Sequence, residues 1–344
     1  MRFQRDSRDG TAFLRILDGK LNVSAGYYSN RKWLDDDRLV LSASEGIDDK
    51  GFQPCRLFLA DLKGETSEEI ASDCAGFSEY VVHEDQLYYI NSQSELWEID
   101  LASGRRSFIL KDEGMNFPHQ TRDGRFINWA KYTDKGAEGK RVDLETGEVV
   151  TMMTKVFAPP FTVANHMMIN PVDPDVLFFA HEGITFYVSN RLWVVKNGEM
   201  HRLAKQEMTD EGDLADCLGH EDWSPDGKGL WFVKYPCSPE PPRGLCYVDL
   251  ETGEWQVRYS AFNYWHAAAS STGKYVAADT QDKGWSGVCL VDTETGEEKM
   301  LLKAGTKWVH PAHPHPMFSP HDKRLSFHDL DERGMITVGI IDIE

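Results

Sequence analysis

Four histidines stand at the same distance from a repeated turn signal. Each precedes by four residues the start of a turn built from Asn, Ser, Asp, Gly or Pro, and the four are His166, His220, His266 and His315. Imidazole is the commonest neutral metal ligand and also exchanges protons near neutral pH. Equivalent positions in successive repeats therefore predict that these rings face one place, where they bind a cation or move protons.

Segment 309–316 reads Val-His-Pro-Ala-His-Pro-His-Pro and adds His310 and His313 to the group. On a strand, His313 and His315 share one face, and Pro314 and Pro316 restrict φ and stiffen the backbone. Three or four imidazoles suit a divalent cation such as Mn, Fe, Ni or Zn. A lone histidine on such a strand is more often structural, but six of the chain's 12 histidines at one level favour a metal site.

A further pair of candidate binding residues lies between the first and second of these four positions, His166 and His220. His181 is followed by Glu-Gly, and Arg191 opens a strand in the repeat before that of His220. A guanidinium group binds a carboxylate through two parallel hydrogen bonds. Arg191 is therefore a candidate for binding an acidic substrate, and a surface arginine in a hairpin is the alternative.

Two kinds of turn alternate along the chain and define the elements that must carry these residues. Turns such as Trp223-Ser-Pro-Asp-Gly-Lys alternate with turns such as Tyr247-Val-Asp-Leu-Glu-Thr-Gly-Glu. Asp, Gly and Pro favour reverse turns, and the short apolar runs between them are typical of strands. Each repeat of about 49 residues, one seventh of the chain of 344, predicts four strands, which form one propeller blade. The sequence therefore predicts an all-β fold, a seven-bladed β-propeller.

The last repeat lacks one strand before the chain reaches Glu344. The run Thr11-Ala-Phe-Leu-Arg-Ile-Leu-Asp near the N-terminus can supply it, so we expect an N-terminal strand to close the last blade and remove an exposed edge. A string of separate domains would need linkers, and no Pro/Gly/Ser-rich linker interrupts the repeats. We therefore predict a single propeller domain over residues 1–344.

Composition excludes several classes of function. The formal charge of −19 argues against a nucleic-acid partner, because binding phosphates needs a basic surface. No run of about 18 apolar residues is present, so no transmembrane helix or membrane partner is expected. The N-terminus has no apolar stretch typical of a signal peptide, and the six cysteines show no CxxC spacing. These features predict a cytoplasmic protein with free thiols, and they leave the oligomeric state open.

Three motifs resemble those of one known family. Gly219-His-Glu-Asp-Trp-Ser-Pro-Asp-Gly, His313-Pro-His-Pro-Met-Phe-Ser-Pro and His181-Glu-Gly, together with Arg191-Leu-Trp and the Trp265-His strand, are similar to segments of oligogalacturonate lyases. The resemblance implies a cytoplasmic seven-bladed propeller that binds a divalent metal, usually Mn²⁺. It also implies cleavage of a small acidic oligosaccharide by β-elimination, which leaves a 4,5-unsaturated uronate.

The resemblance also implies roles for individual residues. The implied metal ligands are His266, His310, His313 and His315, and His310 replaces a glutamine of the family. His220 corresponds to the catalytic base and Arg191 to the arginine of the catalytic site. His166 and His181 are candidate substrate contacts beside Arg191, and His166 is also a candidate acid.

Two other functions remain open. One is a lyase or hydrolase for a different uronate-containing glycan on the same fold. The other is a non-catalytic scaffold like the TolB or WD40 propellers, because a propeller fold does not by itself define a function. A scaffold predicts no metal and histidines that can be replaced without loss of function.

Overall fold

The computed structural model describes residues 1–46, 53–133 and 136–343. Every regular element in that part of the chain is a β-strand, and adjacent strands pair in antiparallel fashion to form seven sheets. This order of sheets confirms the predicted class, a seven-bladed β-propeller. Within the described ranges, no helix has the length and apolar character needed to cross a membrane.

The chain divides into two compact units. Unit 1 comprises Met1–Lys111 and Ala268–Glu344, and unit 2 comprises Asp112–Ala267. The single domain expected over residues 1–344 stays a prediction.

Unit 1 begins with a hairpin and two four-stranded sheets. The hairpin consists of β1 (Arg2–Arg8) and β2 (Thr11–Leu17). The first sheet contains β3 (Asn22–Ser24), β4 (Arg38–Ser44), β5 (Cys55–Asp61) and β6 (Thr66–Cys74). The second sheet contains β7 (Tyr80–His83), β8 (Gln86–Ile90), β9 (Glu95–Asp100) and β10 (Arg106–Lys111).

Unit 2 contains three four-stranded sheets, each built from consecutive strands. The first consists of β11 (Met115–Gln120), β12 (Phe126–Thr133), β13 (Gly136–Asp143) and β14 (Val149–Lys155). The second consists of β15 (Val163–Ile169), β16 (Leu177–Glu182), β17 (Leu192–Lys196) and β18 (Glu199–Arg202). The third consists of β19 (Leu218–Trp223), β20 (Gly229–Lys234), β21 (Gly244–Asp249) and β22 (Trp255–Tyr259).

The remaining strands form the last two sheets. One sheet consists of β23 (Tyr264–Ala269), which contains the boundary between the units, β24 (Tyr275–Thr280), β25 (Ser286–Asp292) and β26 (Glu298–Ala304). The other, within unit 1, joins β27 (Met317–Phe318), β28 (Arg324–Leu330) and β29 (Ile336–Asp342) to the N-terminal hairpin.

An N-terminal strand closes the last blade, as predicted. β2 pairs with β29, with Leu14 opposite Ile340 and Ile16 opposite Val338. Ile16 and Val338 are fully buried, and burying one such side chain stabilises the fold by about 1.5–3 kcal/mol. β1 then pairs with β2, so this sheet has five strands rather than four.

Apolar side chains of adjacent sheets fix the strands that carry the unit 2 histidines. Phe178 on β16 and Leu192 on β17 pack in one cluster with Phe232 on β20 and Cys246 on β21, and all four are fully buried. Alternate residues of each strand face this cluster, as the period of two in a pleated strand requires. The packing holds β15 and β19 in register within unit 2.

Candidate active site

A β-bulge recurs in the first strand of each unit 2 sheet. In β11, β15 and β19 the pairing register shifts around one residue with positive φ, and these residues are Phe117 (50°), His166 (51°) and His220 (56°). A left-handed conformation at a residue other than glycine costs about 1–3 kcal/mol and often persists where it positions a functional group. The equal spacing of histidines in the sequence therefore corresponds to a repeated backbone feature.

His220 is held through one of its two ring nitrogens. Its Nδ1 lies 2.5 Å from the carbonyl oxygen of Trp265 and 3.1 Å from the hydroxyl oxygen of Tyr235. A carbonyl oxygen only accepts hydrogen bonds, so Nδ1 carries the proton and Nε2 is the basic nitrogen. Burial, followed by the neighbouring His266, lowers the pKa of His220 well below its usual range. The ring is therefore neutral at pH 7, as a general base must be.

Other side chains pack closely around the His220 ring. The His220 ring lies 3.9 Å from the His266 ring between centroids and 5.3 Å from the Tyr235 ring, which it meets edge to face. A Cβ atom at Gly219 would collide with the Tyr235 hydroxyl group, so only glycine fits before the histidine. The close approach of Tyr235 thus requires the glycine of the Gly-His pair.

His166 pairs with a buried carboxylate. Its Nδ1 lies 3.0 Å from Oε2 of Glu221, whose side chain is completely buried, whereas 16% of the His166 side chain is exposed. The rings of His166 and His220 lie 6.5 Å apart between centroids. The structure therefore brings together three of the predicted site histidines, His166, His220 and His266, all within unit 2.

Arg191 is buried between two carboxylates. Its Nη1 and Nη2 donate to the two oxygens of Glu182 at 2.9 and 3.1 Å, and its Nε donates to Oε1 of Glu221 at 3.0 Å. Burial favours the neutral form of the guanidinium group, but Glu221 and Glu182 outweigh it and keep the pKa of Arg191 raised. The surface alternative for Arg191 is thus wrong, and three of its five N–H donors already serve carboxylates.

His181 contacts the segment that connects β14 and β15. Its Nε2 lies 2.8 Å from the carbonyl oxygen of Phe161, and its ring stacks on Phe157 with centroids 3.7 Å apart. Both the edge and the face of the His181 ring are therefore in contact with this segment, next to Glu182 in the sequence. Its role as a substrate contact stays a prediction.

Three predicted metal ligands lie together in unit 1. The ring centroids of His310, His313 and His315 are 5.2–5.5 Å from one another. Aromatic rings pack around them. The ring centroid of Tyr27 lies 5.0 Å from that of His315, and the ring centroid of Trp308 lies 4.9 Å from that of His313. Burial, and then His310, lower the pKa of His313 to about 4, so its imidazole is neutral at pH 7.

The prediction that His313 and His315 lie on a strand is wrong. β27 begins only at Met317, and the histidines lie in the irregular segment before it. Prolines at 311, 314 and 316 remove backbone donors, and His315 has a φ of 43°, so this segment cannot form a regular ladder. The backbone instead turns at 309–312, where the Ala312 N–H donates to the Val309 carbonyl oxygen at 2.8 Å.

The three imidazoles fit a metal in chemistry and spacing. Three rings around one ion, with nitrogen about 2.1 Å from it, place their centroids roughly 4.5–5.2 Å apart, close to the spacing observed here. Across the described residues, no three His, Cys, Asp or Glu side chains are arranged to hold an ion as they stand. Small rotations of the rings would therefore accompany binding. His266, the fourth ligand implied by the resemblance, lies in unit 2 on β23.

Sequence reasoning missed several residues that position these groups. In unit 1, His328 donates from Nδ1 to the carbonyl oxygen of His313 at 2.9 Å, and the backbone N–H of His315 donates to Asp279 at 3.1 Å. In unit 2, Glu221 and Tyr235 contact His166 and His220. Glu221 had a usable signal, because a charged residue directly follows His220 at a position that should face the core.

Comparison with known proteins agrees with the motifs. No family model matches the chain. It is 23% identical to an oligogalacturonide lyase of Pectobacterium atrosepticum and 22% identical to an oligogalacturonate lyase of Dickeya dadantii, with 94% of this chain and 91% of each relative covered. A solved structure of an oligogalacturonate lyase in complex with manganese superposes with a TM-score of 0.83 at 20% identity, over 99% of this chain and 96% of the other. In sequence and fold, the chain is therefore similar to oligogalacturonate lyases, as its motifs predict.

Proposed function

We propose that this protein is a divalent-metal-dependent lyase that cleaves oligogalacturonate by β-elimination and leaves 4,5-unsaturated products. The observation that carries the proposal is His220, a neutral imidazole fixed through Nδ1 by Trp265. Similarity to two lyases over 94% of the chain supports the same reaction. The expected substrate is a small acidic oligosaccharide, and the cytoplasmic location stays a prediction.

The chemistry begins at the carbon next to the carboxyl group of the uronate. The proton on that carbon is weakly acidic, and a positioned base of suitable pKa accelerates its removal by about 10²–10⁴-fold. Nε2 of His220 takes this proton. Tyr235 and the Trp265 carbonyl group hold the ring so that Nε2 keeps its orientation during the transfer.

Arg191 acts beside this base. A Cβ at Gly219 would lie 3.1 Å from Nε of Arg191, which places the guanidinium group against the backbone next to His220. We assign to Arg191 the binding of the substrate carboxylate or the stabilisation of the enolate that forms from it. Glu182 and Glu221 fix the guanidinium plane for this purpose. His166 and His181 are the remaining proposed substrate contacts.

The proposal assigns the metal to His310, His313 and His315, with His266 as the ligand implied by the resemblance. Mn²⁺ is the expected ion, because a similar structure is a manganese complex. When bound, a divalent cation supplies Lewis-acid polarisation of the substrate carboxylate. The neutral state of His313 supports this assignment, since only an unprotonated imidazole binds metal.

Incubation of the purified protein with Mn²⁺ and digalacturonate or trigalacturonate tests the proposal. The ultraviolet absorbance of the conjugated product should rise with time, and His220→Ala should abolish the rise. His201→Ala serves as the matched control, because His201 lies on β18 with half of its side chain exposed. Absence of any absorbance change with uronate oligomers would exclude the lyase, and activity on other uronates alone would change the substrate.

A further inference from the structure

Glu221 occupies a position that is apolar in the neighbouring sheets. The residues that follow the bulge positions Phe117 and His166 are Pro118 and Met167, both buried. After His220 the same position holds a glutamate with no exposed surface. Burying a carboxylate costs several kcal/mol unless it is well paired. Packing alone does not account for this residue, because an apolar side chain fills the equivalent place elsewhere in unit 2.

The contacts of Glu221 orient His166. One carboxylate oxygen accepts from Nε of Arg191 at 3.0 Å and the other lies 3.0 Å from Nδ1 of His166. Arg191 and the contact with His166 keep the pKa of Glu221 low against the effect of burial, so the group is ionised. An ionised carboxylate accepts hydrogen bonds only, which places a proton on Nδ1 of His166. Nε2 is then the nitrogen that faces away from this anchor.

His166 lies beside three charged groups whose net charge is −1. Arg191 contributes one positive charge, and Glu182 and Glu221 contribute two negative charges at hydrogen-bond distance from it. Of the pair His166 and Glu221, only His166 reaches the surface, with 16% of its side chain exposed, so it can exchange protons with solvent or substrate.

The proposed elimination needs two proton-transfer groups. In the ordinary chair of a galacturonate ring, the hydrogen on C5 and the oxygen on C4 are both axial and lie on opposite faces. One imidazole therefore cannot remove the C5 proton and also protonate O4. An alkoxide is a poor leaving group, so a positioned acid at O4 accelerates the reaction.

On the basis of the proposed function, we infer that His166, oriented by Glu221, is the general acid that protonates the departing O4. The C5 proton passes to Nε2 of His220, and the C5–H electron pair becomes the second bond between C4 and C5. The C4–O4 bond breaks, its electron pair stays on O4, and O4 takes the proton from Nε2 of His166. Solvent then removes the proton from His220 and returns one to His166, so the reaction consumes no water.

The spacing of the two imidazoles fits these roles. A base and an acid, each within roughly 3 Å of its own reacting atom on opposite sugar faces, stand about 5–8 Å apart. The rings of His166 and His220 lie 6.5 Å apart between centroids. Both are bulge residues with positive φ, so each is held by its strand and by an anchor at Nδ1.

Two substrates that differ only in the leaving group test this assignment. Digalacturonate loses an alkoxide, which needs a proton, whereas a galacturonate with fluoride at C4 loses an anion that departs without one. For His166→Asn with Mn²⁺ present, we expect kcat on digalacturonate to fall on the order of 10²-fold or more. KM should change little, and kcat on the fluoride should fall less than about 5-fold. His220→Ala should lose both activities.

Equal losses of kcat on the two substrates, or unchanged activity on digalacturonate, would overturn the assignment. Should His166→Asn not fold, as judged by circular dichroism, His166→Gln provides the same comparison. It should reduce turnover of digalacturonate about 10-fold or more while sparing the fluoride, and an equal effect on both substrates would again contradict the inference. An unaltered protein that converts neither substrate would instead refute the proposed function itself.

Discussion

Nδ1 of His220 lies 2.5 Å from the carbonyl oxygen of Trp265. This contact assigns the tautomer of the ring, because a carbonyl oxygen requires a donor opposite it. The basic nitrogen is then Nε2, on the side of the ring away from the anchor. One backbone carbonyl group thereby decides which atom of His220 can act as a base.

The first prediction concerns Tyr235, whose hydroxyl group contacts the proposed base His220. Tyr235→Phe removes a hydroxyl group 3.1 Å from Nδ1 and leaves the ring in place. A neutral hydrogen bond contributes about 0.5–1.5 kcal/mol, so kcat should fall about 2–12-fold. Steady-state kinetics of product absorbance provides the measurement. A loss as large as that of His220→Ala would mean that the tyrosine itself transfers the proton.

Metal content should depend on the histidines of unit 1. His313→Ala removes one of three rings that lie 5.2–5.5 Å apart, and we expect the bound Mn²⁺ per chain to fall by at least about 10-fold, as for loss of a ligand. Elemental analysis after dialysis against Mn²⁺ measures this. His220→Ala should retain its metal, and His201→Ala serves as the surface control. Equal metal content in all three variants would show that the ion binds elsewhere.

Stability in acid should depend on Glu221. Burial raises its pKa, but Arg191 and His166 hold it below the ordinary value of 4.5. A depressed carboxyl pKa stabilises the fold above pH 4.5, and this contribution is lost as pH falls below that value. Glu221→Gln should therefore lower the free energy of unfolding by about 3–5 kcal/mol at pH 7. The difference should shrink toward pH 3 in urea titrations, and a difference independent of pH would contradict the ion pair.

A buried lysine in unit 1 should make stability depend on pH in the alkaline range as well. Nζ of Lys32 donates to the Tyr80 carbonyl group and lies 3.5 Å from the centroid of its ring, and burial lowers the pKa of Lys32 to about 7. The unfolded chain binds a proton that the folded chain releases between pH 7 and 10.5, so stability should rise there by at most about 1.4 kcal/mol per pH unit.

Lys32→Met isolates that contribution. Urea titrations between pH 7 and 10 should give a flatter pH dependence for the variant than for the unaltered protein, because the methionine does not titrate. Identical slopes for the two proteins would mean that Lys32 keeps an ordinary pKa in the fold.

Much of the fold could be predicted from the sequence because turns and strands have local signals. The alternation of Asp-Gly and Thr-Gly-Glu turns predicts four strands per repeat, and the pairing of Leu14 with Ile340 confirms the closing strand. The segment of His313 departs from this pattern, since its prolines override the strand that the repeat would place there. The extra strand β1 has no counterpart in the repeat and so gave no periodic signal.

The site was predictable in part. Spacing from the turns identified His166 and His220, because the bulge recurs at one position of each first strand. The buried position of Arg191 between Glu182 and Glu221 depends on contacts across strands, which spacing along the chain does not encode. The support of His313 by His328 is likewise a contact between residues far apart in the sequence.

The central claim is that the protein breaks its substrate by elimination and not by hydrolysis. Mass spectrometry of the products formed from digalacturonate in H₂¹⁸O with Mn²⁺ tests it most directly. We expect one unsaturated uronate and one galacturonate whose masses together equal that of the substrate, with no ¹⁸O incorporated by the cleavage step. Two saturated products carrying one ¹⁸O between them would contradict the account and identify a hydrolase.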